Sequence, residues 1–105
     1  MIIPFSNQYQ MIPKQLLRKA GYHEFVDPRT RKVSYVRTLR PSVFYPRFHA
    51  YVEMKDVGFD VNLHLDQKQA SYSGTSMHAG EYEGEAVERE AARIHAVIEG
   101  MRFHL

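Results

Sequence analysis

Three observations predict a single α+β domain over residues 1–105: a four-stranded antiparallel sheet of two hairpins, with an N-terminal and a C-terminal helix packed on one face. Apolar residues recur at helical spacing from Glu85 onward. Two stretches, Phe48–Lys55 and Phe59–Asp66, instead alternate apolar and polar residues with period two. The composition, 44% hydrophobic and 25% charged, is that of an ordinary folded chain, and 105 residues suffice for one modest core but not two.

Taken in order, residues 1–11 are expected to be extended or frayed. Pro13–Ala20 (PKQLLRKA) predicts a short helix, with proline at the first helical position and Gly21 just past the end. Ile12, Leu16 and Ala20 recur at spacing four and Leu17 widens the stripe. HEFVD and KVSYVRTL flank PRTR and predict a first hairpin, His23–Asp27 with Lys32–Leu39, around a turn without glycine. RPSVFYPRF, with Pro41 and Pro46, is expected to be an extended connection. A second hairpin follows, and then a long loop over 67–84 rich in glycine and serine, a length that is uncommon inside a compact domain unless the loop has a function. The last helix starts at Glu85 and places Val87, Ala91, Ile94, Ile98 and Met101 on one stripe; Glu85 and Glu88 in its first turn suit the helix dipole.

The second hairpin carries the chemistry. Its apolar residues are even in the first strand (Phe48, Ala50, Val52, Met54) and odd in the second (Phe59, Val61, Leu63, Leu65). Paired residues share a face, so an even residue must oppose an odd one. Closing the loop Lys55-Asp56-Val57-Gly58 with Met54 opposite Phe59 satisfies this parity and leaves Gly58 where a positive φ is wanted. His49 then lies opposite His64, in what counting from the closing pair makes a non-hydrogen-bonded rung. The competing register shifts His49 opposite Asp66. In either, His49, Tyr51, His64 and Asp66 share one polar face.

Two imidazoles beside a carboxylate are the raw material of a divalent-metal site for zinc, manganese or iron, with positions left for water or substrate. His78 and Glu81 in the following loop are candidates to complete the ligand set. Hydrolysis is the reaction class such a site suits, and no organic cofactor is indicated. The same histidines also fit metal-free acid–base chemistry with Lys68 stabilising developing charge, or a solvated polar face with no site.

Charge distribution supplies a rival function. Residues 1–52 carry a net +7 and residues 53–105 a net −5, for +2 in all. From Pro28 to Val52 there are six basic residues, Arg29, Arg31, Lys32, Arg37, Arg40 and Arg47, no acid, and interleaved Tyr35, Phe44, Tyr45 and Phe48. That pattern suits a non-enzymatic module for RNA or single-stranded DNA, or attraction between the two halves of the fold. A third possibility is a structural or interaction protein. The chain has no cysteine, no signal-peptide pattern and no apolar run of membrane-spanning length, from which a cytoplasmic location without a membrane partner is expected.

HLDQK (His64–Lys68) and HAGEYEG (His78–Gly84), ahead of a Glu/Arg-rich helix, resemble motifs of a group of small bacterial proteins of unassigned function. The resemblance extends over LLRKAGYHEF and YPRFHAYV. It implies one cytoplasmic domain and brings no activity with it. The layout is also similar, more distantly, to small toxin nucleases with a double-stranded-RNA-binding-like sheet, whose single histidine motif this chain does not show.

Overall fold

The computed structural model describes residues 1–67 and 84–104. Its elements are β1 (Ile2–Phe5), α1 (Pro13–Lys19), β2 (His23–Val26), β3 (Val33–Arg40), β4 (Val43–Met54), β5 (Phe59–Asp66) and α2 (Glu85–Glu99). The strands form one antiparallel sheet in the order β1-β5-β4-β3-β2. The sheet therefore has a fifth strand that the sequence reading left as an extended or frayed segment. β1 docks at the edge beside β5, with Ile3 opposite Val61 and Phe5 opposite Phe59. Its alternation, exposed-buried-exposed-buried, is too short to stand out in the sequence. Pro4 is compatible because an edge strand has a side on which no N–H is needed.

The core lies on the face covered by both helices. Ile3, Phe5, Ala50, Val61 and Leu63 from the sheet meet Leu16, Leu17, Val87, Ile94 and Ile98, all at most 5% exposed. Two members of the expected apolar stripes fall outside it: Ile12 is 60% exposed at the helix entry and Met54 is 65% exposed at the hairpin tip. Met101 packs only partly against the core. Glu90, in contrast, is buried among the helices and takes hydrogen bonds from Tyr22 (2.7 Å) and Arg93 (2.7 and 2.8 Å), while Arg37 of β3 approaches it at 3.4 Å. Arg93 also donates to the Ala20 carbonyl at 2.6 Å, which ties the end of α1 to α2.

The β4–β5 register is the one parity selects: Met54 opposite Phe59, Tyr51 opposite Asn62 and His49 opposite His64. Lys55 N–H donates to the Gly58 carbonyl (3.2 Å), and Gly58 has φ +77°. One detail differs. Met1 and Leu63 exchange both backbone hydrogen bonds, so Leu63 turns its polar groups toward β1 and its neighbours turn theirs toward β4. The 49/64 rung is therefore of the hydrogen-bonded kind, the wider of the two.

The other two turns replace glycine by different means. In the β2–β3 turn, Asp27 Oδ1 accepts from Arg29 N–H (2.7 Å) and Thr30 N–H (3.3 Å), and Arg31 takes φ +63°. The segment expected to be an extended connection instead belongs to a hairpin. β3 turns directly into β4 through Pro41 and Ser42, where Ser42 takes φ +63° and Arg40 pairs with Val43. The first strand pair is thus continuous with the second, and β4, at 12 residues, runs through Pro46. No helix among the described residues is long and apolar enough to cross a membrane.

Candidate metal centre

The face of the sheet away from the helices carries a buried polar cluster. Pairing places Arg47 opposite Asp66 and His49 opposite His64 on adjacent rungs of β4 and β5, while Val36 of β3 flanks His49 on the other side. Ser34, two residues before Val36, is diagonal to His49. On this frame the side chains converge as their alternation requires. His49 Nδ1 lies 3.1 Å from Asp66 Oδ2, and His64 Nε2 lies 3.0 Å from Asp66 Oδ1. The two imidazole centroids are 5.0 Å apart, and Tyr51 stands against both rings, at 4.6 Å from His49 and 5.7 Å from His64. His49 is 7% and His64 8% exposed, so both rings are largely removed from water.

Asp66 holds the group together. Burial alone would raise its pKa, but hydrogen bonds from His49 and His64 and the positive charge of these rings outweigh that and hold the carboxyl far below the usual carboxylate range. Arg47 Nε adds a third donor, 3.2 Å from Oδ2.

Ser34 is a site residue that the sequence reading missed. Its buried Oγ lies 2.7 Å from His49 Nε2 and 3.4 Å from the Phe25 carbonyl. A hydroxyl both donates and accepts. With the ring proton on Nδ1, facing Asp66, the Ser34 hydroxyl donates to Nε2. When Nδ1 gives its lone pair to another partner, the proton sits on Nε2 and Ser34 accepts it, turning its own hydrogen toward Phe25. Metal-binding histidines characteristically anchor the second nitrogen in this way. The signal in KVSYV was a small polar residue on an alternating strand, which acquires meaning only once β3 is known to pair with β4.

His49, His64 and Asp66 each offer one ligand atom, and these atoms lie within 4.8 Å of one another. The 3.1 Å separation runs from His49 to Oδ2 and the 3.0 Å separation from His64 to Oδ1, so the two rings meet the carboxylate at different oxygens. The other two predicted ligands, His78 and Glu81, lie outside the described residues, as does Lys68.

The six basic residues are divided among several places. Arg29, Arg31 and Lys32 are exposed in the β2–β3 turn, and Arg40 is exposed at the far end of β3, roughly 25 Å along the strand. Arg37 points to the helix-covered side and meets Glu90. Arg47 is 5% exposed, with its guanidinium carbon 4.2 Å from the Phe44 ring centroid, 4.6 Å from that of Tyr45 and 5.1 Å from that of Phe25. The remaining histidines, His23, His95 and His104, are all exposed, and His95 stacks on Phe5 at 5.8 Å.

Fold and site together define an α+β protein with a five-stranded antiparallel sheet, helices on one face and a buried His-His-Asp cluster on the other. No protein family, curated protein or solved structure matches the chain.

Proposed function

We propose that the His49–His64–Asp66 cluster is a divalent-metal centre and that its chemistry is hydrolytic. The observation that carries this reading is the convergence of three ligand atoms within 4.8 Å, on adjacent rungs of two paired strands. His49, His64 and Asp66 would hold the ion with positions to spare, and a divalent metal there would supply a water-derived nucleophile near neutral pH. The protein's contribution is rigidity: the ligands sit on central strands, His49 is anchored by Ser34, and Asp66 is held by Arg47.

The test is calorimetric titration of untagged protein with zinc, manganese and iron(II), beside a His49→Ala/His64→Ala double variant. One ion per chain bound by the wild type and none by the double variant is the expected result. Equal heats for the two proteins would overturn the reading. Coordination displaces ring protons, so affinity weakens toward acid pH.

A further inference from the structure

Arg47 is the least satisfied charged group on this face. It is 5% exposed, yet among the described residues Nη1 is enclosed without an acceptor, while Nε meets one at Asp66. The faces of Phe25, Phe44 and Tyr45 attract the cation. They do nothing for the donors in the plane, and a buried charged donor left unpaired is costly. The guanidinium also abuts the cluster, because the oxygen that Nε approaches at 3.2 Å is the oxygen 3.1 Å from His49 Nδ1.

We propose that the loaded centre takes phosphate, free or as a monoester, and that Arg47 is the side chain that recognises it. The proposal rests on the metal reading above. Its basis is charge as well as geometry. Asp66 and Arg47 cancel one another, so a divalent ion held by neutral imidazoles leaves an uncompensated double charge in a site shielded from water. A carboxylate ligand offsets only half of that. Phosphate at neutral pH carries between one and two negative charges, about 1.5 to 2 in a monoester, and several acceptor oxygens for the guanidinium beside the cluster. The planar, permanently charged guanidinium suits that recognition better than an ammonium does.

Inorganic phosphate, phenyl phosphate and acetate are titrated into wild-type protein, metal-free and saturated with whichever of zinc, manganese or iron(II) it takes up, and into Arg47→Lys at saturating metal. Loaded wild type is expected to bind phosphate at least about tenfold more tightly than metal-free protein and about tenfold more tightly than it binds acetate. Arg47→Lys, which keeps the charge and loses the fork, is expected to lose about tenfold in phosphate affinity. Phenyl phosphate bound as tightly as inorganic phosphate identifies a monoester as the ligand, and inorganic phosphate bound alone identifies the free anion; either supports the proposal. Phosphate binding indifferent to metal, equal to acetate, or unchanged in a folded Arg47→Lys overturns it. The first two comparisons need only the wild type and hold even if the variant does not fold. Failure of the metal titration itself is read separately and removes the metal centre along with its ligand.

Discussion

Ser34 and Asp66 hold opposite nitrogens of the His49 ring, and substitutions separate their effects. Ser34→Ala removes the partner of a buried ring nitrogen, and metal affinity is expected to fall about tenfold, as loss of such an anchoring group usually costs. Calorimetry measures that change, and the melting temperature of the metal-free variant shows whether the fold persists. Asp66→Asn leaves Arg47 buried without a countercharge and is expected to lower stability by roughly 3 kcal/mol at neutral pH. Its pH dependence has a definite sign. Because the folded state depresses the Asp66 pKa, the stability it contributes is fully present above about pH 4, the ordinary range of an unfolded aspartate, and is lost as the pH falls through the folded value. The gap between wild type and Asp66→Asn in urea denaturation is therefore expected to persist down to about pH 4 and to close in stronger acid.

At the level of elements, the β4–β5 hairpin depends on its turn. An added Cβ at Gly58 would sit 1.8 Å from the Phe5 carbonyl oxygen, on a backbone with φ +77°. Gly58→Ala is therefore expected to cost about 3 kcal/mol or more, since the strained conformation alone accounts for about 1 and β1 must also move. Gly21 provides the contrast. It has φ +94°, but its Cβ would meet only the Arg37 side chain at 3.5 Å, so Gly21→Ala is expected to cost about 1 kcal/mol. Comparable midpoints for the two variants in chemical denaturation would disprove the close approach of β1 to the turn.

Across the whole molecule, Glu90 connects elements far apart in the chain: Tyr22 after α1, Arg37 on β3 and Arg93 on α2 itself. Burial raises the Tyr22 pKa, with the hydrogen bond to Glu90 adding to it. Burial also works to raise the pKa of Glu90, but hydrogen bonds from Arg93 and Tyr22 and the charge of both arginines bring it below its ordinary value. Glu90→Gln is expected to cost roughly 2 kcal/mol, less than a fully buried pair because Arg37 and Arg93 each reach water. A single transition with an unchanged denaturant slope is the expected signature, since the change weakens one cooperative unit without dividing it.

The sequence by itself determined the β4–β5 hairpin and the meeting of its histidines, because side-chain alternation leaves few registers and Gly58 selects among them. It also located both helices, whose periodicity needs no partner to be visible. Only the tertiary structure decided that Ile2–Phe5 is a strand, since four residues gain their meaning from the edge they join. The same holds for β3 and β4: Pro41, Ser42 and Pro46 read locally as a connection, while pairing across the sheet makes them a turn and part of a strand. That pairing brings Ser34 to His49 and carries Arg47 out of the apparent basic stretch into the cluster. Charge counted along a chain says nothing of the face each side chain takes, and the face is set by neighbours that are distant in sequence.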